Sequence, residues 1–251
     1  SNYGIINVNT NLMSMMRSFL RGDCMIILGH RGIPALIKEN TLESLLKAIE
    51  LGADGIETDV RLTKDGTPVL IHDDNLSNFC GEDIKIKELT ISELKEFRYD
   101  GMTIPTLEEF LLSVPHNKCL NLEIKEYEAG EITVELGKRY EGNVIYSSFN
   151  HDLITELKNK YTDYKFGYLF GEEHMGMNIE EITDLFKHNT YSAHLPIKGY
   201  LSKPELFNKL LPMLREMCIK IVFWTVNSKD EIAKISEYVD YLITDDIRIF
   251  K

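Results

Sequence analysis

The chain has 251 residues, of which 43% are hydrophobic and 27% charged, and its 28 basic and 40 acidic residues give a net charge of −12. A chain of this length buries one sizeable core without a metal or a disulfide. The negative charge repels phosphate backbones and anionic bilayers, so it argues against a nucleic-acid partner and against stable membrane insertion. A small substrate that carries phosphate would need a cation at its binding site.

The cysteines indicate the cellular compartment. They form no Cys-x-x-Cys pair and lie far apart, at Cys24, Cys80, Cys119 and Cys218. This spacing disfavours a disulfide scaffold and a thiolate zinc site, and unpaired thiols favour a reducing, cytoplasmic location. No apolar run approaches the roughly 18 residues that a membrane helix needs.

Short apolar runs alternate with amphipathic stretches along the chain. The runs predict strands at Met25–Leu28, Gly55–Leu62, Pro68–His72, Cys119–Glu123, Val144–Ser147, Lys165–Leu169, Tyr191–Leu195, Lys220–Trp224 and Tyr241–Thr244. The stretches between them predict helices at Thr41–Leu51, Ile132–Arg139, His151–Lys160, Ile179–Phe186, Pro204–Met217 and Lys229–Tyr238. This alternation predicts a parallel α/β fold, and the number of strands favours a TIM-type (β/α)8 barrel.

Nine strands are one too many for an eight-stranded barrel. The pair Asp65-Gly66 accounts for the surplus, because Asp-Gly favours a two-residue turn between antiparallel strands. A turn centred on this pair places Arg61 opposite Leu70 and Asp59 opposite His72. We therefore expect a β-hairpin beside the second strand of the barrel.

Two segments fall outside the barrel pattern. Residues 73–104 are loop-rich and charged, and we interpret them as a small lid insertion over the carboxyl mouth of the barrel, with a short helix at Ser92–Phe97. Residues 1–24 form an N-terminal extension. Residues 1–251 are together predicted to be a single barrel domain.

Charged residues follow the first apolar strands. His30 and Arg31 end one strand, at the position where (β/α)8 barrels carry their chemistry. Glu57 and Asp59 lie two residues apart on the next strand, so both side chains project to the same face. A salt bridge from these carboxylates to Arg61 on that face is the structural alternative.

The same spacing returns later in the chain. Glu123 and Lys125 lie two residues apart at the end of another predicted strand, and the hairpin register brings His72 across from Asp59. Unpaired carboxylates buried in a core cost several kcal/mol each, so this pattern points to a site rather than to packing.

Three converging carboxylates without a thiolate indicate a hard, oxygen-binding dication. Mg²⁺ or Ca²⁺ fits such ligands better than zinc, and Mn²⁺ is a further candidate. The predicted metal ligands are Glu57, Asp59 and Glu123. Histidines beside a dication, together with fixed cations, suit phosphoryl transfer, because they move protons while the cations neutralise phosphate oxygens.

Some of these side chains have structural alternatives that the sequence leaves open. Lys125 could be a solvated surface group, and Trp224 could belong to the core rather than to a binding pocket. Asn227 and Asp245 lie at strand ends, where each could cap a helix or a turn. His194 also ends a strand and has no evident partner.

Several longer motifs carry a family resemblance. They are HRG at 30–32, ENT at 39–41, GADGIETDVRLTKDGTPVLIHD at 52–73, PTLEE at 105–109, LNLEIK at 120–125, SSFN at 147–150, FWTVN at 223–227 and ITD at 243–245. With these motifs in this order, the sequence resembles the glycerophosphodiester phosphodiesterases, of the PI-phospholipase-C-like phosphodiesterase superfamily. The resemblance runs from about residue 27 to the end of the chain.

The resemblance implies a TIM barrel that hydrolyses glycerophosphodiesters to an alcohol and sn-glycerol 3-phosphate. Carried over by position, it implies His30 and His72 as the acid–base pair, Glu57, Asp59 and Glu123 as dication ligands, Arg31 and Lys125 as phosphate ligands, and Trp224 as a pocket residue. We favour His30 as base and His72 as acid. The implied partner is a small, soluble glycerophosphodiester.

Departures from the family pattern bear on specificity. Lys38 and Ile247 each stand where the family usually has Pro. Residues 77–81 stand where the family usually has a basic stretch. Because that stretch lies in the predicted lid, the departures affect the choice of leaving group rather than the proton-transfer residues. A lysophospholipase D, a phosphoinositide-type phosphodiesterase and a catalytically silent binding barrel are the alternative functions.

Overall fold

The computed structural model describes residues 25–250, so the predicted extension at 1–24 lies outside the described residues. Within this range the strands are β1 (Ile26–His30), β2 (Gly55–Leu62), β3 (Pro68–Leu70), β4 (Cys119–Ile124), β5 (Asn143–Ser148), β6 (Lys165–Leu169), β7 (Ser192–Pro196), β8 (Lys220–Trp224) and β9 (Tyr241–Thr244). Each predicted strand is present, and its ends differ from the predicted ones by no more than two residues.

Eight of the strands described between residues 25 and 250 close into a parallel barrel. The order is β1-β9-β8-β7-β6-β5-β4-β2, and a parallel pairing of β1 with β2 closes the ring. Short β3 pairs antiparallel with β2 and stands outside the ring. The predicted TIM-type barrel is confirmed, and its parallel strands bring every carboxyl end to one mouth.

Helices connect the strands and cover the outside of the barrel. They are α1 (Leu42–Glu50), α2 (Ser77–Cys80), α3 (Ile91–Leu94), α4 (Leu107–Ser113), α5 (Gly130–Gly137), α6 (His151–Lys160), α7 (Ile179–Leu185), α8 (Ile197–Ser202), α9 (Pro204–Glu216) and α10 (Lys229–Ile235). The sequence did not predict α4 and α8, which have only seven and six residues. Such short helices show less than two turns of apolar periodicity.

The main hydrophobic core lies between the barrel and the helices, while a smaller cluster fills the inside of the barrel. The buried members of the inner cluster are Leu28, Cys119, Ile145, Val222, Tyr241 and Ile243. Each of these residues lies within the first three positions of its strand. The upper interior, towards the carboxyl mouth, therefore remains for polar side chains.

The hairpin forms, but its predicted register is wrong by one residue. Arg61 pairs with Val69 rather than with Leu70. The reason is the loop length: Thr63 N–H donates to the Thr67 carbonyl at 3.1 Å, so three residues form the turn instead of two. Gly66, with a φ of +76°, takes the left-handed position that such a loop requires.

The shifted register also changes the partner of Asp59. Ile71 N–H donates to the Asp59 carbonyl at 3.1 Å, so Ile71 and not His72 lies opposite Asp59. If His72 were paired within the β2–β3 ladder, a one-residue shift in register would turn its side chain to the other face of the hairpin. Because β3 ends at Leu70, His72 lies beyond the ladder and is free of this constraint.

The segment 73–104 contributes no strand to the barrel. Its described elements are α2, α3 and a 3-10 turn at Ile86–Glu88, and α3 begins and ends earlier than the predicted helix at Ser92–Phe97. A separate hydrophobic cluster supports the segment, formed by Val69, Ile71, Leu76, Phe79, Ile86, Leu94 and Ile104. The segment thus packs around its own small core, next to the hairpin.

The close approach of β2 to β4 depends on Gly55. A Cβ at this position would lie 1.8 Å from the Cys119 carbonyl oxygen, which belongs to rigid backbone. We expect Gly55→Ala to lower the free energy of unfolding by about 3 kcal/mol, as overpacking of a rigid site does. Gly176→Ala is the control, because a Cβ there meets nothing within 4 Å. Urea denaturation measures both, and equal effects would contradict the steric explanation.

Candidate active site

Three carboxylates meet at the carboxyl mouth of the barrel. Glu57 and Asp59 come from β2 and Glu123 from β4, and one oxygen from each lies within 4.8 Å of the others. The residues are 3%, 0% and 8% exposed. The alternation of side chains along each strand, predicted from the sequence, brings these carboxylates together.

Burial of like charges shifts the proton affinity of the cluster. Burial and the charge of Asp59 raise the pKa of Glu57 to about 8. The pKa of Glu123 is raised for the same two reasons. Burial also disfavours ionised Asp59, but the charges of Arg31 and Lys125 outweigh it and hold its pKa below the ordinary value.

The two predicted cations point into the cluster. Arg31 Nε lies 3.1 Å from Asp59 Oδ2, and Arg31 also bonds Glu39 at 2.9 Å. Lys125 Nζ lies 2.6 Å from Glu123 Oε1 and 3.7 Å from Asp59 Oδ1, and its side chain is only 11% exposed. Lys125 is therefore not a solvated surface group.

Asn40 ties the cluster to the loop after β1. Its amide nitrogen donates to Asp59 Oδ2 at 2.9 Å, and its amide oxygen accepts from the Thr58 hydroxyl at 2.7 Å. Both Asn40 and Arg31 have left-handed backbone, with φ of +57° and +51°. Non-glycine residues adopt this conformation rarely, and such strain concentrates at functional sites. Asn40 belongs to the ENT motif, but the sequence alone indicates no role for it.

His30 has a carboxylate partner outside the cluster. Its Nδ1 lies 2.6 Å from Asp245 Oδ1, and its Nε2 lies 3.8 Å from Glu57 Oε2. Asn227 holds the other oxygen of Asp245 at 2.7 Å. Burial lowers the pKa of His30, but the Asp245 hydrogen bond and the Glu57 charge outweigh it and raise the pKa. Asp245 therefore orients His30, and Asn227 holds Asp245. From the sequence alone, these two residues could equally have capped a helix or a turn.

His72 has a similar partner. Its Nδ1 lies 2.7 Å from Asp73 Oδ1, and its backbone carbonyl accepts from Arg61 Nε at 2.7 Å. Arg61 also pairs with Glu126 at 3.0 Å, so the alternative in which it pairs with the β2 carboxylates is wrong. Burial lowers the pKa of His72, although the negative charge of Asp59 acts against this shift.

An aromatic wall stands on the β5–β8 side of the mouth. Trp224 ends β8 and meets Phe149 edge to face, with ring centres 5.8 Å apart. Phe149 also lies under Lys125 Nζ, 5.6 Å from its ring centre. Among the described residues Trp224 Nε1 is buried and has no hydrogen-bond partner. A buried indole N–H usually has one, so this donor is available to a bound molecule.

His194 lies deeper in the barrel and apart from the cluster. It is fully buried, and its Nε2 lies 2.9 Å from the Ser192 hydroxyl. Burial lowers its pKa to about 3, so the ring is neutral. His194 is thus a neutral, structural residue of the barrel interior. It differs in this from His30 and His72, which lie at the mouth.

A cavity of about 510 Å³ opens beside the cluster. Its lining includes Arg31, Asn40 and His72 as well as Asp73 and Asn78 of the segment 73–104. Because Arg31 and Asn40 also contact Asp59, the cavity lies between the surroundings of the acidic cluster and this segment. Its size admits a small molecule.

A closed barrel with paired histidines, cations and an acidic cluster at its carboxyl mouth has the composition of a phosphoryl-transfer site. Comparison with known proteins agrees: residues 30–249 match the Glycerophosphoryl diester phosphodiesterase family. The chain belongs to this family of enzymes, as the motifs implied.

Individual relatives cover nearly the whole chain. A glycerophosphodiester phosphodiesterase of Caldanaerobacter subterraneus subsp. tengcongensis is 33% identical over an alignment of 247 positions, which covers 88% of this chain and 94% of the relative. The crystal structure of one from Thermotoga maritima is 41% identical, with a TM-score of 0.82 and coverage of 90% of this chain and 97% of that one. An Oleispira antarctica phosphodiesterase in complex with the product sn-glycerol-3-phosphate is 26% identical, with a TM-score of 0.74 and coverage of 90% and 94%.

None of the helices between residues 25 and 250 is both long and apolar enough to cross a bilayer. The cytoplasmic location stays a prediction. So does the pairing state of Cys24, which lies outside the described residues, while Cys80, Cys119 and Cys218 are free thiols.

The role of Asp245 can be measured as a change in the pKa of His30. Asp245→Asn should lower this pKa, because the hydrogen bond and the charge of Asp245 both favour the imidazolium. Asp246→Asn is the matched control, since Asp246 pairs with Arg248 at 2.6 Å. NMR titration of the imidazole ring of His30 follows both variants. A pKa that stays unchanged in Asp245→Asn would show that this carboxylate does not act on His30.

Proposed function

We propose that the protein hydrolyses small glycerophosphodiesters to an alcohol and sn-glycerol 3-phosphate, with the help of a divalent cation. The observation that carries the proposal is the convergence of Glu57, Asp59 and Glu123 with two partnered histidines at one barrel mouth. The bound product of the Oleispira antarctica relative supports the product assignment. The net charge of −12 supports a small substrate rather than a phosphate polymer.

The donor set of the cluster fits a dication. Asp59 Oδ1 is buried without a hydrogen-bond partner among the described residues, and burial together with the charge of Asp59 raises the pKa of Glu57 and of Glu123, an effect that a bound cation would oppose. All three ligands are oxygens, which favours Mg²⁺ or Ca²⁺, with Mn²⁺ next, over zinc. When bound, such an ion neutralises phosphate oxygens and acidifies a nucleophile.

Arg31 and Lys125 are the phosphate ligands of the proposal. Arg31 lines the cavity, and the cationic groups of Arg31 and Lys125 both lie next to Asp59, where a phosphate oxygen can replace a carboxylate as their partner. Trp224 offers its unpartnered indole N–H and its ring face to the glycerol or alcohol portion. The substrate thus spans the mouth from the aromatic wall to the cavity.

His30 and His72 move the protons. The Nδ1 of each ring donates to a carboxylate, which can only accept, so each Nε2 is left for the reacting oxygens. One histidine removes the proton from the nucleophile, which is water or the 2-hydroxyl of the glycerol. The other gives a proton to the alcohol oxygen as the P–O bond breaks, and water opens any cyclic phosphate.

The direction of proton transfer is decided by which ring carries the proton. The sequence favours His30 as base and His72 as acid. The pKa of His30 is raised and that of His72 lowered, which favours the opposite order. If Glu57 held a cation, the charge of Glu57 would raise the pKa of His30 less, which would favour His30 as base and His72 as acid.

Loss of either histidine should be costly. His30→Ala and His72→Ala should each lower kcat/KM at least about 100-fold, because a positioned acid or base contributes about 10²–10⁴-fold. Release of glycerol 3-phosphate from glycerophosphocholine measures this, with the exposed His116→Ala as control. An ester with a p-nitrophenol leaving group needs no acid, so the variant that recovers on it lacks the acid. Full activity of both variants would contradict the proposed chemistry.

The same assay tests the substrate class. Hydrolysis of glycerophosphocholine in preference to lysophosphatidylcholine is expected, and the reverse preference would identify a lysophospholipase D.

Cation binding should release a proton. With a pKa of about 8, Glu57 is mostly protonated at pH 7 and must ionise to bind the ion. Calorimetry of chelator-treated protein with Mg²⁺ or Ca²⁺, in buffers of different ionisation enthalpy, should therefore give about one proton released at pH 7 and fewer above pH 8. Glu57→Gln should remove the release and weaken binding, whereas the exposed Glu82→Gln should change neither. Unaltered binding by Glu57→Gln would contradict the ligand assignment.

A further inference from the structure

A chain of contacts runs from the insertion to His72. Asp73 receives the hydrogen bond from His72 Nδ1 at Oδ1, 2.7 Å away, and one from Asn78 Nδ2 at its other oxygen. The backbone carbonyl of Asn78 accepts in turn from the ammonium of Lys38. Lys38 Nζ also lies 4.7 Å from the centre of the Tyr99 ring, which holds it in place.

These contacts join two loops that are distant in the sequence. Lys38 belongs to the loop between β1 and α1, whereas Asn78 belongs to α2 of the segment 73–104, 40 residues further on. Both residues line the cavity beside Arg31. They are also positions at which this sequence departs from the family pattern. The contact between the two segments is thus adjacent to the proposed reacting groups.

Asp73 needs such support to orient a histidine. Its side chain is 29% exposed, so a single hydrogen bond to His72 would leave the carboxylate free to rotate towards water. The Asn78 amide occupies the second oxygen and leaves one orientation in which the first oxygen meets Nδ1. Because the His72 carbonyl is fixed by Arg61, ring orientation is the remaining freedom. Proton transfer requires that freedom to be removed.

We propose that Asn78 is a positioning residue that fixes the His72 ring through Asp73, and that Lys38 holds Asn78 in place. The inference rests on the proton-transfer role of His72 in the proposed function. It holds whether His72 serves as acid or as base, since both roles need Nε2 at the reacting oxygen. The insertion then takes part in catalysis through orientation and does not itself touch the reacting atoms.

A double-mutant cycle tests the proposal on the full chain. Asn78→Ala should lower kcat/KM for glycerophosphocholine about tenfold, the lower range for loss of a hydrogen bond to a charged group. In a His72→Ala background the same substitution should have no effect, because the ring that it positions is absent. Ser77→Ala, the exposed neighbour in the same helical turn, should be neutral in both backgrounds.

A second pair of variants tests the role of Lys38. Lys38→Met should lower kcat/KM about fivefold, the factor of one typical hydrogen bond, and again only where His72 is present. Lys38→Arg should restore most of the activity. Lys87→Met is the control, since Lys87 is an exposed lysine of the same segment.

The outcomes separate the inference from the proposed function. An equal fall in both backgrounds would mean that Asn78 acts on structure alone, and no fall in either would mean that Asp73 needs no support. Each result overturns the inference while the role of His72 stands. If His72→Ala by itself keeps full activity, the proposed role of His72 fails and the inference fails with it.

Discussion

Three carboxylates buried within 4.8 Å of one another impose the condition that the rest of the mouth satisfies. Like charges at such distances, away from water, cannot all stay ionised unless cations or protons compensate them. Arg31 and Lys125 compensate Asp59, and the raised pKa of Glu57 lets it keep a proton. Arg31, which has left-handed backbone, places its guanidinium 3.1 Å from Asp59 on the neighbouring strand.

In the barrel, the carboxylates of the cluster and the carboxylates that orient the histidines come from different elements. Parallel strands in fixed register deliver the carboxylates from β2 and β4. The segments that follow strands supply a separate carboxylate to the Nδ1 of each histidine, Asp245 to His30 and Asp73 to His72. Since these partners lie outside the cluster, a change in the charge of the cluster alters the proton affinity of the rings without releasing them from their positions.

The sequence predicts the residues that strands deliver better than those that loops deliver. Glu57 and Asp59 can be predicted as a pair because side chains alternate along a strand, so residues two apart share a face. The sequence does not reveal Asp245 and Asn78 in this way. Asp245 contacts His30, 215 residues away in the sequence, and Asn78 contacts Asp73, 5 residues away. Asp and Asn also commonly cap helices and turns, so their presence alone indicates no site. The hairpin shows the limit at short range: Asp-Gly predicts a turn, but one additional loop residue moved the register of every pair.

The segment 73–104 packs around seven buried residues that form a cluster separate from the main core of the barrel. Substitutions in that cluster lie apart from the main core of the barrel, so their effects on stability should add nearly independently to those of changes in the main core. The insertion can therefore change its own packing while the barrel behind the acidic cluster keeps its packing unchanged.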